Sequence, residues 1–436
     1  MVQAQQKRLR GSLRLPGDKS ISHRALLFNA LSQGEATIEG LSHGGDVQGT
    51  MRCIQALGCT VRTLDDQRIH LVSDGNWHAR TAPLDCGNSG TTARLLCGAL
   101  AGAGITVTLC GDESLSKRPM KRVMHPLAQM GARFQHQEGR LPVTIEGQKT
   151  PLKGINYTMP MASAQVKSAI LLAGLWADPT AQVQITEPLP TRDHTERMLN
   201  AMGCEIQKTA SLITLVGRKS DLQSTDILVP ADMSSSAFLM VAASLLPGSR
   251  LILEQINLNP TRTPMLDVLR QLGVSLTTEV THESAGEAMG NITLESPDRL
   301  VGNLTLTAED VPLLIDEIPI LSILGMYLDG HVSIRGAEEL RVKESDRLAS
   351  ILGILKACQV DVESFEDGFS FQGNPSKKLP DAIESHRFAT HHDHRLVMAL
   401  EILSLCSGRS LDIEGREWVN ISYPTFYEHL QKVLEN

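Results

Sequence analysis

Six times along the chain, a short run suited to a β-strand leads through a polar turn into an apolar helix. The six openings are LRGSLRLPGDKSISHRALLFNAL (9–31), TAPLDCGNSGTTARLLCGAL (81–100), INYTMPMASAQVKSAILLAGL (155–175), TDILVPADMSSSAFLMVAASL (225–245), LTLTAEDVPLLIDEIPILSIL (304–324) and HRFATHHDHRLVMALEILSL (386–405). Each is followed by another β-like segment, such as GEATIEGL, GITVTLCG or SRLILEQI, and by a second helix that usually closes on a Leu-Gly type end. Gly58, Gly131, Gly203 and Gly273 mark such ends at intervals of roughly seventy residues, too long for a solenoid. Alternation alone is common to α/β proteins, but here the polar turn falls at the same phase every time. The pattern predicts six small βαβαβ-like modules, most simply arranged as two lobes of three.

Composition narrows what such a chain can do. With 42% apolar and 21% charged residues, its 436 residues are those of a globular protein of two to three domains. Aromatics make up only 3%, and the formal net charge is −8, which argues against nucleic acid as a partner. The opening MVQAQQKRLRGS has no apolar core of a signal peptide. The longest uncharged run, Leu95 to Gly111, reads as helix, turn and strand rather than a membrane span. Eight cysteines without metal-ligand spacing predict reduced, mostly buried thiols and a cytoplasmic protein.

The polar turns carry the chemistry. PGDKSISHR falls short of a P-loop, because Gly11 and Gly17 are one residue too far apart and Asp18 precedes Lys19. It still places Lys19, Ser20 and Arg24 over one helical turn, with 20 and 24 on one face. A cap by Ser20 or Asp18 with solvated cations is the plainer alternative. At the second turn Asn88 can cap the helix, and Gly90 lets backbone approach a ligand. Downstream, Lys117, Arg118, Lys121 and Arg122 surround Pro119. The third turn offers Ser163, Gln165 and Lys167. In the second half, Asp316 and Glu317 interrupt an apolar stretch, where a carboxylate must be paired or hold a raised pKa. LRVKESDRL supplies Lys343, Glu344 and Arg347, which could equally form surface salt bridges. THHDHRL groups His391, His392 and His394 with Asp393, but lacks the spacing and second cluster of a zinc site, so Arg395 is its more useful residue. Together Lys19, Arg24, Arg118, Lys343, Arg347 and Arg395 face two acids, Asp316 and Glu344. That set fits a small polyanionic substrate and acid–base chemistry, with no evident metal site beside it.

PGDKSISHRAL, GNSGTTARLL, SKRPM, ASAQVKSA, DEIP, RVKESDRL and DHRLVMA resemble, in this order, the 3-phosphoshikimate 1-carboxyvinyltransferase (EPSP synthase) family of enolpyruvyl transferases. The likeness runs from about residue 9 to about 430. It implies a two-lobed inverted α/β fold of six βαβαββ units, three per lobe. It places one lobe at 21–235, the other at 1–20 plus 236–436 with the N-terminal strand, and the active site in the cleft between them. It implies transfer of the enolpyruvyl group of phosphoenolpyruvate to the 5-hydroxyl of shikimate 3-phosphate, through a tetrahedral adduct and without cofactor. By the same likeness Lys19, Ser20, Arg24, Ser163, Ala164, Gln165, Asp316 and Lys343 hold shikimate 3-phosphate. Lys19, Gly90, Arg118, Gln165, Arg347 and Arg395 hold phosphoenolpyruvate. Asp316 is the base for the 5-hydroxyl, and Glu344, with Lys19 nearby, the acid that protonates the vinyl carbon. The expected partners are these two substrates alone, bound by a monomer away from nucleic acid and membrane.

Two positions depart from the family's usual pattern. Ala164 stands where many members carry a serine, and Ile421 where many carry a lysine, two residues before Tyr423-Pro424. Two rival readings remain at this stage. A UDP-amino-sugar enolpyruvyl transferase shares the fold but typically has a reactive cysteine before its Arg-Pro pair, where GDESLSK has none. A non-enzymatic anion-binding protein would leave Asp316 and Glu344 without a role.

Overall fold

The computed structural model describes residues 7–435. They form two compact units: a first of residues 17–230 with Glu283–Glu287, and a second of the chain up to Pro16 with Ala231–His282 and Ala288 onward. The divisions fall at 16/17 and 230/231, rather than after 20 and 235, so Lys19 and Ser20 belong to the same unit as Arg24.

Strand pairing shows how the modules are built. In four of them the opening strand lies parallel to the next strand of the same module. The pairs are Leu84–Asp85 with Val107–Cys110, Ile155–Thr158 with Val183–Thr186, Leu304–Leu306 with His331–Ile334, and Arg387–Phe388 with Asp412–Ile413. The first and fourth modules exchange their opening strands. Arg8–Arg14 runs parallel to Arg250–Asn257, and Ile227–Leu228 parallel to Gln33–Glu39. Antiparallel hairpins, such as Arg133–Gln137 with Arg140–Glu146, complete five of the sheets. The sixth module departs from the expected βαβαββ form. After its parallel pair the chain turns through the 3₁₀ segment Arg416–Ile421 into the helix Phe426–Val433. Leu434–Glu435 then pairs antiparallel with Leu9 and Arg8.

The helices that follow the opening strands are α1 (Lys19–Leu31), α2 (Gly90–Leu100) and α3 (Ala164–Gly174) in the first unit. Their counterparts in the second are α4 (Met233–Leu245), α5 (Ile318–Met326) and α6 (His394–Ser407). A helix apolar all round has no face to give to water, so it belongs inside. Accordingly α4 buries every residue from Met233 to Ser244, and α1 every residue from Ile21 to Leu31. Each fully buried Leu, Ile or Phe contributes about 1.5–3 kcal/mol relative to exposure. Packing reaches backbone contact at Gly98 of α2, where a Cβ would overlap the carbonyl of Ala169 on α3. The recurring glycines end the second helices: φ is +116° at Gly58, +103° at Gly131, +90° at Gly203 and +93° at Gly273. The eight cysteines are all unpaired. No helix among the described residues is long and apolar enough to cross a membrane.

Candidate active site

The polar turns are first of all helix caps. Asp18 accepts from the amide of Ile21 at 3.0 Å, Ser89 from Thr92 at 3.1 Å and Ser163 from Val166 at 3.4 Å. In the second unit Asp232 accepts from Ser234 at 2.7 Å and Asp393 from Arg395 at 3.0 Å. The cap of α1 is therefore Asp18 and not Ser20, and that of α2 is Ser89 and not Asn88. Remaining first-turn N–H groups, with the positive end of the helix dipole, favour an anion at each end.

In the first unit the predicted residues gather at the N-terminal turns of α1, α2 and α3. Lys19 reaches Asp46 at 3.0 Å. Arg24 is 3% exposed and donates to Thr195 Oγ1 at 2.8 Å, to the Ser20 carbonyl at 2.8 Å and to Ser168 Oγ at 2.9 Å. Burial lowers its pKa to about 10, against the attraction of Glu196, Asp18 and Glu287, so it stays charged at neutral pH. Three of its five N–H groups are engaged, which leaves two for a ligand. Gln165 accepts from Arg94 at 2.7 Å and donates to Thr91 at 3.0 Å. Arg118 donates to the amide oxygen of Asn88 at 2.8 Å and to Ser114 at 3.3 Å. Gly90 lies between them: a Cβ there would stand 2.6 Å from Arg94 Nη1 and 3.4 Å from Arg118 Nη1. Lys117 instead points away, in an exposed pair with Glu113. Lys167 is wholly buried between Glu187 (3.0 Å) and Glu196 (2.7 Å), so its role is structural.

The second unit brings Asp316, Lys343, Glu344, Arg347 and Arg395 together, but not as a cation cluster. Arg347 is fully buried and donates to Asp393 Oδ2 at 2.7 Å, Glu344 Oε2 at 2.6 Å and Asp316 Oδ1 at 3.1 Å. Loss of hydration opposes its charge, yet Asp393, Glu344 and Asp316 together raise its pKa above the ordinary range. Arg395 holds Asp316 from the other side, through the backbone carbonyl at 3.1 Å and the carboxylate at 3.5 Å. Lys343 faces Glu339 at 3.9 Å. Its pKa is lowered chiefly by lost hydration, with Arg347 adding to the effect and Glu339, Asp316 and Glu344 opposing it. Three cations thus meet four carboxylates, Asp393 and Glu339 having joined the two acids expected from sequence. Asp316 and Glu344, two of the three carboxylates held at this guanidinium, with a lysine of lowered pKa beside them, are groups of the kind that can move protons. Glu317 is buried separately, accepting from Ser234 of α4. His392 stacks on Trp418, with ring centroids 4.2 Å apart. Among the described residues no group of His, Cys, Asp and Glu is arranged to hold a metal ion.

The family profile described as EPSP synthase (3-phosphoshikimate 1-carboxyvinyltransferase) matches residues 3–430. The chain belongs to the EPSP synthase family. A 3-phosphoshikimate 1-carboxyvinyltransferase of Bacillus velezensis is 41% identical over 430 residues, covering 98% of both chains. One from a Synechococcus species is 43% identical over 431 residues, covering 98% of this chain and 95% of that protein. Among solved structures, EPSP synthase from Acinetobacter baumannii is similar with a TM-score of 0.84 and 39% identity, over 99% of this chain and 97% of that one. The enolpyruvyl transferase NikO of Streptomyces tendae shares the fold at a TM-score of 0.74 and 16% identity, over 98% of this chain and 96% of that one.

Within this EPSP synthase family chain, several residues at the site were not singled out from sequence. Arg94 orients Gln165 beside Gly90, and Arg192 lies near enough to Arg24 for their charges to oppose each other. Asp46 partners Lys19, and Asp393, which the sequence grouped only with the three histidines, clamps Arg347. Arg94 had a signal, being four residues past Gly90 on the same helical face. Asp393 had one too, as the cap residue beside Arg395. Asp46 and Arg192 sit on segments whose placement only the tertiary fold decides. At the two departures, Ala164 is the first residue of α3, just after the capping Ser163, and Ile421 ends the 3₁₀ segment before buried Tyr423. The thiol of Cys110 has its pKa raised, mainly by burial, which is the opposite of a reactive cysteine.

Proposed function

We propose that this chain is a 3-phosphoshikimate 1-carboxyvinyltransferase, converting phosphoenolpyruvate and shikimate 3-phosphate to 5-enolpyruvylshikimate 3-phosphate and phosphate. It acts in the shikimate pathway of aromatic amino-acid biosynthesis. The observation that carries the reading is the pairing of two unlike sites in one family chain: an arginine-lined set of helix N-termini, and a carboxylate hub around Arg347.

In this reading Lys19, Ser20, Arg24, Ser163, Ala164 and Gln165 hold shikimate 3-phosphate with Asp316 and Lys343. Where Ala164 lacks a hydroxyl, its backbone N–H at the head of α3 serves the phosphate. Lys19, Gly90, Arg118 and Gln165 hold phosphoenolpyruvate with Arg347 and Arg395. Arg94 adds to this set by fixing Gln165. Asp316 accepts the 5-hydroxyl proton as that oxygen bonds to C2 of phosphoenolpyruvate, while Glu344 gives a proton to C3, forming the tetrahedral adduct. Breaking the C2–O bond to phosphate and returning a C3 proton to a carboxylate then yields the enol ether. Arg347 and Arg395 keep Asp316 aimed and charged. Such acid–base steps typically contribute about 10²–10⁴-fold each. Eight unpaired cysteines support a reducing, cytoplasmic setting, and we take the single chain as the working unit.

Phosphate release from phosphoenolpyruvate, with shikimate 3-phosphate present or omitted, tests the reading. Release only with both substrates, unchanged by EDTA, is expected. Release without the second substrate, or loss on chelation restored by zinc, would refute it.

A further inference from the structure

Below the first unit's ligand residues runs a line of four buried side chains to which the proposed reaction gives no part. His23 of α1 is 1% exposed, and its Nδ1 lies 2.7 Å from Thr50 Oγ1, on the helix Gly45–Ala56. Thr50 Oγ1 lies 2.6 Å from Thr92 Oγ1 of α2. Thr92 donates its hydroxyl to Ser89 Oγ at 2.8 Å, the same oxygen that caps α2. The line therefore joins the three helices that carry Lys19, its partner Asp46, and Gly90.

Proton positions along it follow from chemistry. A hydroxyl has one proton to donate. Thr92 gives its proton to Ser89, so it must accept from Thr50, and Thr50 must in turn accept from His23. The ring proton is therefore on Nδ1. The ring is neutral, since burial, then the charges of Lys19 and Arg24, lower its pKa well below 6.5. Nε2 is left as a bare, buried acceptor with no hydrogen-bond partner among the described residues. The other tautomer would turn every link around and point the Ser89 proton at Thr92, contrary to the donation from Thr92 to Ser89 that the heavy-atom geometry favours.

We propose that His23 is a positioning residue for the phosphoenolpyruvate end of the site: donating from Nδ1, it sets the direction of the Thr50–Thr92–Ser89 line and so fixes the first turn of α2 at Gly90. This rests on the assignment of phosphoenolpyruvate to Gly90 and Arg118. Without the donor, Thr50 loses the bond that orients its hydroxyl, and the cap of α2 loses its fixed direction. Hydrogen bonds in such a line polarise one another, so one cut is felt along its whole length.

The test compares His23→Leu, His23→Asn and Thr50→Val in steady-state kinetics on both substrates, with ¹⁵N NMR of the wild-type His23 ring. Asparagine places Nδ2 where histidine places Nδ1, so it restores the donor; leucine does not. Thr50→Val cuts the same line without altering α1, which keeps the test informative if the leucine variant folds poorly. His23→Leu and Thr50→Val are expected to raise KM for phosphoenolpyruvate about tenfold, the loss of roughly one good hydrogen bond, with kcat and the other KM little changed. The double variant should be no worse than either single one, because both cut one line. His23→Asn should recover most of the loss, and the ring proton should sit on Nδ1. A proton on Nε2, equal effects on both KM values or on neither, or an asparagine variant as poor as leucine would overturn the proposal. Arg118→Lys run alongside separates the failures. If Arg118→Lys is selective for phosphoenolpyruvate and His23→Leu is not, the inference alone fails; if Arg118→Lys is unselective, the ligand assignment fails and takes the inference with it.

Discussion

Each unit fastens three buried helices to one another at their N-terminal turns, and the two use different chemistry to do it. In the first, Arg24 ties α1 to Ser168 of α3, Arg94 ties α2 to Gln165 of α3, and the His23 line ties α1 to α2. The oxygens that hold Arg24 are hydroxyls and a carbonyl, and amide oxygens of Gln165 and Asn88 meet Arg94 and Arg118. In the second, Glu317 meets Ser234 between α5 and α4, Arg395 holds Asp316 between α6 and α5, and Arg347 collects three carboxylates. A guanidinium that donates to a neutral oxygen keeps its formal charge through that bond. One ringed by carboxylates has much of its charge answered and also aims those carboxylates. In the proposed function this contrast gives anion capture mainly to the first unit and proton transfer to the second.

The largest effect that could break this division is at Asp316. Asp316→Asn should lower kcat by about 10²–10⁴ while shikimate 3-phosphate still binds, because in the proposed function the phosphate is held by the first unit. Calorimetry showing binding lost and kcat at saturation intact would reverse the assignment. Next comes a change that should spare catalysis altogether. Lys167→Ala leaves Glu187 and Glu196 buried without their shared lysine, and should cost about 3–5 kcal/mol in denaturant unfolding with both KM values unchanged. Arg118→Lys replaces a planar fork by a point charge, and should raise KM for phosphoenolpyruvate roughly tenfold or more, well beyond its effect on the other substrate.

The smallest effect is on pH dependence. His23 has a folded pKa lowered below 6.5, so between the two values the unfolded chain binds a proton that the folded chain does not. Stability should therefore fall as pH drops below about 6.5, by at most about 1.4 kcal/mol per pH unit from this group. His23→Asn should remove that part of the slope, which unfolding midpoints from pH 7.5 down to pH 5 would show.

The repeat made much of this architecture legible, because six strand–turn–helix openings at one phase fix both the modules and the place of the polar turns. Exchange of the opening strands is not a local property: Arg10 pairs with Arg250, and nothing near either residue states the other. The missing sixth hairpin was hidden for a related reason, since a helix and a final strand replace it with equally ordinary sequence. At the site, residue types were readable but their partners were not. Lys167 reads like its neighbours Ser163 and Gln165, yet Glu187, twenty residues on, makes it a core residue. Arg347 reads as a binding cation or a surface salt-bridge partner, and only the fold delivers Asp393 to it from forty-six residues away. That partnership makes Arg347 the centre of a carboxylate hub.

The division of labour is tested most directly by running the reaction in D₂O with Arg118→Lys and Glu344→Gln side by side at saturating substrates. Protonation at C3 followed by return of a C3 proton carries solvent deuterium into the product's vinyl group. With Arg118→Lys the account predicts deuterated product at near wild-type kcat once phosphoenolpyruvate is raised to saturation. With Glu344→Gln it predicts both substrates bound, turnover lowered by about 10²-fold or more, and deuterium entry lowered with it. Deuterated product from Glu344→Gln at a rate close to wild type, or a kcat defect in Arg118→Lys as deep as that of Glu344→Gln, would contradict it.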